Sequence, residues 1–187
     1  PVFFLPVSVL IFIIICATAF VLQHYVFAPQ LNAYLIYYGA FIPARYEGFE
    51  NCNGVVCLSS PVTYSFLHGS FAHLAINMVW LAAFGAPLAQ RIGTLRFLLF
   101  WIFTSLCAAG LHFVLHSASV LPLVGASGAI SGMMGAAARF GFRTHATAGV
   151  REFAGDKLTL AQAVRTRQVI TFVAVWMVAN LVSGIGF

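Results

Sequence analysis

Three kinds of side chain in this sequence can act together on a peptide carbonyl: a serine between glycines, an imidazole and a carboxamide. The segment Leu123-Val-Gly-Ala-Ser-Gly-Ala-Ile-Ser-Gly-Met-Met-Gly135 places Gly125-Ala-Ser127-Gly128 at the start of an apolar stretch, and an earlier apolar stretch opens with His68, His73 and Asn77. A serine hydroxyl attacks a carbonyl once a base takes its proton and donors hold the resulting oxyanion. At a helix start, Ser127 also has unpaired backbone N–H groups and the positive end of the helix dipole beside it. Such groups are costly to bury in hydrocarbon without partners, so their presence there calls for a chemical reason.

The elements that carry them follow from composition. With 61% hydrophobic and 7% charged residues and a mean hydropathy of +0.97, a chain of 187 residues cannot present the charged surface of a water-soluble domain. The sequence is therefore that of an integral membrane protein, and residues 1–187 read as one transmembrane domain. A net charge of +5 does not point to nucleic acid, because the basic residues lie between apolar runs and not in an aromatic-interleaved patch. Five stretches are long enough to cross a bilayer, which takes about 20 apolar residues: Val2 to Leu22, Phe66 to Leu88, Phe97 to Leu115, Val124 to Phe140 and Val169 to Ile185. The first has no small-residue cleavage site and reads as a span, not a signal peptide.

Charge then orients the spans. Arg91 and Arg96 follow the second; Arg139, Arg143, Arg151, Lys157, Arg165 and Arg167 cluster after the fourth; only Arg45 falls on the other side, in the long first loop from Ala28 to Ser65. The positive-inside rule puts the N-terminus in the cytoplasm and that loop outside. Spans two and four then run inward, so His68, His73 and Ser127 share the outer level. His73 and Asn77 are four apart and share a helical face, whereas His68 is about 140° around from His73 if the helix includes it, a position suited to bracing the loop above. The polar residues His68, Ser70, His73 and Asn77 are expected to line a cavity open to the outer face.

Gly128, Gly132 and Gly135, with Ala129, Ala136 and Ala137, give the fourth span small-residue faces that let neighbouring helices approach closely. Cys16 and Cys107 fall inside spans as small apolar residues, while Cys52 and Cys57 share the outer loop as either a disulfide or two free thiols. Two thiols are too few for a structural zinc site, and neither a metal nor a cofactor is expected.

His68-Gly-Ser-Phe-Ala-His73-Leu-Ala-Ile-Asn77 followed by Gly125-Ala-Ser127-Gly128 resembles the rhomboid family of intramembrane serine proteases, from the first span through the fifth. The resemblance implies an all-α polytopic fold with a six-helix core, five helices of which this chain supplies. It implies that Ser127 is the nucleophile and that His73, Asn77 and the backbone amide of Ser127 form the oxyanion hole, with His68, Gly125 and Gly128 supporting them. It further implies transmembrane protein substrates, cut near the outer face, and a bacterial inner membrane as the setting.

Rhomboids take their general base from a histidine on a sixth span, and the sequence stops at Phe187 before such a segment, as a trimmed region of a longer protein would. His24, His112 and His116 lie at outer helix ends, where interfacial polar residues are common. The family's Trp-Arg ahead of the first motif histidine is replaced by Ser59-Ser60, its Glu before Arg-x-Gly by Ala89, and its Tyr one turn after the nucleophile by Ser131. Two other readings stand beside the protease. One is a catalytically inactive rhomboid-like protein that binds transmembrane helices, which the missing base favours and the retained Ser127 opposes. The other is a channel or transporter, opposed by spans without an internal Asp, Glu, Lys or Arg suited to an ion path.

Overall fold

The computed structural model describes residues 5–47, 54–147 and 149–185. Pro6, with φ fixed at −56°, starts helix α1 (Val7–Val21), which widens into a π turn over Leu22–Val26. Val2 to Phe4 of the expected first span lie outside the described residues. The long first loop is itself largely helical: α2 (Pro29–Gly39), a 3₁₀ turn (Pro43–Tyr46), α3 (Gly54–Thr63) and a second 3₁₀ turn (Tyr64–Phe66). Sequence hydropathy registers only its lower apolarity. Cys57 is disulfide-bonded, Cys16 and Cys107 are free, and Cys52 lies outside the described residues.

The second span begins at Phe71, later than the expected Phe66, because Ser70 is an N-cap whose hydroxyl accepts the His73 N–H at 3.2 Å. It continues as α4 (Phe71–Trp80), a π turn (Leu81–Gly85) and α5 (Ala86–Ile92). Pro87 has no N–H to offer the carbonyl one turn back, and the helix widens just ahead of it. Gly93, at φ +81°, then reverses the chain directly into α6 (Thr94–Leu115).

The fourth expected span is shorter than its apolar run: α7 covers Ser127–Arg139, 13 residues or about 20 Å. Val124 to Ala126 are not part of it, since Gly125 sits at φ +122°. Irregular backbone of this kind is tolerated at membrane depth where protein buries it, and Gly125 and Ala126 are buried. A two-stranded antiparallel hairpin follows, β1 (Thr144–Thr147) with β2 (Val150–Phe153), then the short α8 (Leu160–Ala163) and α9 (Arg167–Ile185). The hairpin departs from an all-helical expectation only outside the spans. Among the described residues three helices are long and apolar enough to cross a membrane, Val7–Val26, Phe71–Ile92 and Thr94–Leu115. The fourth expected span corresponds to α7, which is below that length, and the fifth to α9, whose described apolar stretch is Arg167–Val178.

The centre is α7. Its buried Ala129, Ile130, Met133, Met134 and Ala137 form one cluster with Leu81, Leu88, Phe97, Trp101 and Phe12. Phe12 stacks on Trp101 at 4.2 Å between ring centres, and Phe66 stacks on both. A helix so rich in Gly and Ala lets neighbours approach its backbone closely, as α6 does at Gly128 and Gly132.

Candidate active site

Four elements converge on Ser127. The first is the loop ahead of α7, held open by glycine. A Cβ at Gly125 would lie 2.7 Å from both Cε1 and Nε2 of His73 and 3.9 Å from Nδ2 of Asn77. The imidazole of α4 thus packs against the backbone two residues before the serine, in space that only glycine leaves free. Ser127 is the first residue of α7, so its own N–H and those of Gly128 and Ala129 have no acceptor within the helix. Ser127 is half-buried.

Asn77 sits one turn along α4 from His73, 2% exposed, and its Nδ2 is buried without a hydrogen-bond partner. An orphan amide of this kind costs about 1–3 kcal/mol, which makes it a donor in want of an acceptor. His68 stands in the loop ahead of α4, not on the helix, yet its ring meets that of His73 edge-on at 5.1 Å between centres. It is fully buried, and desolvation first, the His73 ring second, pushes its pKa down to about 3. A ring kept neutral in this way is suited to packing.

The second element is the 3₁₀ turn at Tyr64, which sequence reasoning missed. The Tyr64 carbonyl accepts the N–H of Gly125 at 3.0 Å, and the Tyr64 hydroxyl donates to the carbonyl of Ser105 on α6 at 3.0 Å. Trp101 on α6 donates its indole N–H to Ser65 at 3.0 Å. One turn therefore ties the glycine loop to α6. Nothing in a lone tyrosine within an apolar run signals that role. Tyr64→Phe is expected to lower stability by about 1–2 kcal/mol through the lost buried bond, read as a reduced midpoint in thermal unfolding of the detergent-solubilised protein; an unchanged midpoint would remove the clamp.

The third element is the first loop itself. Phe41 and Leu123 exchange backbone bonds, Phe41 N–H to Leu123 O at 3.2 Å and Leu123 N–H to Phe41 O at 2.8 Å. The entry to the serine loop is thereby fixed at both ends. The fourth is α9. Ser131, one turn below Ser127, donates to the Ser127 carbonyl at 2.7 Å and accepts the indole N–H of Trp176 at 2.8 Å. Trp176 also meets Trp80 of α4 edge-on at 5.4 Å. The residue that replaces an expected tyrosine is thus a hydrogen-bonded link between α7 and α9.

Two expectations are corrected. His68 and Asn77 are buried and do not line an open cavity. An open apolar groove of about 440 Å³ lies between α2 and the 63–67 segment, with Leu31, Tyr34 and Leu67 on its walls. Gly135 meets nothing where a Cβ would stand, so close helix approach uses Gly128 and Gly132 but not Gly135. Of the other histidines, His24 bonds the Phe20 carbonyl at 3.1 Å and stacks on its ring, His112 stacks on His116 at 4.9 Å, and His145 meets Glu152 at 3.0 Å.

A family model described as the Rhomboid domain matches residues 58–186. That stretch contains α4 through α9 and, with them, His68, His73, Asn77, Gly125 and Ser127. No curated protein matches the chain.

Proposed function

The chain belongs to the rhomboid family, and from that premise we propose that it is an intramembrane serine endopeptidase with Ser127 as nucleophile. The observation that carries the reading is the buried, unpartnered Asn77 amide, placed with His73 against Gly125 beside the free N–H groups of α7. In this reading Asn77, His73 and the α7 N–H groups are the donors for the carbonyl oxygen that Ser127 attacks. Fixed donors in a water-poor site are the largest single contribution that such an enzyme makes to rate.

In the proposed reaction the Ser127 hydroxyl adds to a substrate peptide carbonyl while a base takes its proton. The oxyanion is held by the Ser127 N–H, Asn77 and His73. Collapse expels the amine, protonated by the same base, and water then hydrolyses the ester on Ser127. The resemblance assigns the base to a histidine of a sixth span. Substrates would be transmembrane proteins cut near the outer face. The basic end of the bundle would face the cytoplasm, with the N-terminus on the same side, in a bacterial inner membrane.

The test is cleavage of a transmembrane reporter by the full-length protein in proteoliposomes. His73→Ala and Asn77→Ala are each expected to lower kcat by about 10²-fold, with KM little changed, as for loss of one oxyanion donor. Variants that lose thermal stability but whose folded fraction cleaves at the wild-type rate would remove both residues from the site. A wild-type protein that neither cleaves nor reacts with a fluorophosphonate at Ser127 would favour the inactive, helix-binding reading.

A further inference from the structure

The segment between the hairpin and α9 carries two features that neither the site nor the proposed reaction uses. Its first is a fixed apolar face. Thr159 and Gln162 form a reciprocal capping box, Thr159 N–H to Gln162 Oε1 at 2.8 Å and Gln162 N–H to Thr159 Oγ1 at 3.2 Å, so the turn of α8 is held in place. Ala163 points inward at 4% exposure, while Leu160 and Val164, one turn apart, point outward at 68% and 65%. Two large apolar side chains presented by a capped turn are not the product of loose chain.

The second feature is charge. Lys157, Arg165 and Arg167 flank that face, are exposed, and form no ion pair among the described residues. The acids nearby offer little competition: Glu152 is engaged with His145 at 3.0 Å, and Asp156 contributes its backbone carbonyl to Arg143. The segment is pinned to the end of the bundle where the chain's cations collect. Leu158 N–H bonds the Arg139 carbonyl at 2.6 Å, and Ala154 N–H bonds the Arg143 carbonyl at 2.9 Å. Arg91 and Arg96 close α5 and open α6 at the same end.

Apolar residues in a row with unpaired cations at the end of a membrane bundle match one surface, the boundary between acyl chains and anionic headgroups. We infer that residues 157–167 dock onto the leaflet at the basic end of the bundle, Leu160 and Val164 entering the acyl boundary and Lys157, Arg165 and Arg167 holding anionic phospholipid headgroups. The docking would fix the start of α9, and with it the helix that brings Trp176 to Ser131. It requires no catalytic activity, so it stands or falls separately from the protease reading.

The experiment is retention of lipid by the full chain in detergent micelles, read by native mass spectrometry against phosphatidylglycerol and phosphatidylcholine. The wild-type chain is expected to hold phosphatidylglycerol preferentially. Each basic residue near an anionic surface contributes about fivefold, so Lys157→Gln/Arg165→Gln/Arg167→Gln is expected to lose on the order of 10²-fold in phosphatidylglycerol retention. Leu160→Ser/Val164→Ser should weaken retention of both lipids. Arg91→Gln/Arg96→Gln removes charge from the same end outside residues 157–167 and should lose less preference than the triple variant. Equal retention of the two lipids by the wild type, a triple variant that behaves as wild type, or an equal loss in the Arg91/Arg96 variant would overturn the proposal. Thermal midpoints of the exposed-site variants, expected to match the wild type, separate lost binding from lost folding.

Discussion

Replacing Ser127 by alanine in the full-length protein is expected to abolish cleavage of a transmembrane reporter, a loss of at least about 10⁴-fold, with the fold intact. The size follows from the chemistry: without the hydroxyl there is no acyl intermediate, and the oxyanion donors alone give only the residual rate left when a nucleophile is removed. The intact fold follows from the structure. Ser127 is half-buried and contributes to α7 through its backbone, with its carbonyl taken by Ser131. Stability should change by about 0.5 kcal/mol or less, as for a substitution that opens no cavity and orphans no buried group. A fluorophosphonate should label the wild-type protein at Ser127 and leave the alanine variant unlabelled. Retained cleavage by Ser127→Ala would sink the serine-protease reading, and retained labelling would show that another nucleophile reacts.

What could be read from the sequence was whatever hydropathy and helical periodicity encode. The apolar runs show that the chain lives in a bilayer, and the four-residue spacing of His73 and Asn77 puts both on one face of α4. The motif order around Gly125-Ala-Ser127-Gly128 agrees with the family match over residues 58–186. What could not be read was how far each run is helical. Gly125 at φ +122° shortens the fourth run to 13 residues, and the Ser70 cap delays the second to Phe71, both by backbone geometry to which hydropathy is blind. The helices α2 and α3 were hidden for the opposite reason. They lie within a loop whose mixed composition has no spanning signature, and only their ties to the site, Phe41 to Leu123 and Tyr64 to Gly125, give them meaning. Trp176 to Ser131 joins residues 45 positions apart, and no local pattern announces such a bond.

The three glycines of α7 look alike in sequence and should behave differently when filled. A Cβ at Gly128 would come within 2.6 Å of the Ala108 Cβ and 2.8 Å of the Tyr64 hydroxyl, and one at Gly132 within 2.7 Å of the Thr104 Cβ. In each case the obstacle includes a β-carbon of α6, which cannot move unless that helix moves. Close-packed interiors yield little to such insertions, so Gly128→Val or Gly132→Val should cost about 3 kcal/mol or more, each extra carbon adding to the overlap. The damage at Gly128 reaches further. Displacing Tyr64 loosens its bond to Ser105 and its hold on the Gly125 loop, so the folded remainder of Gly128→Val should also cleave slowly. At Gly135 a Cβ meets nothing within 4 Å, and Gly135→Ala should be neutral or stabilising by about 0.5–1 kcal/mol, the helix-propensity gain of alanine over glycine. Thermal unfolding midpoints of the three variants in one detergent decide the matter. If Gly135→Ala falls as far as Gly128→Val, the α6–α7 seam is not where close approach matters; if Gly132→Val unfolds at the wild-type midpoint, the Thr104 contact yields freely and carries no packing constraint.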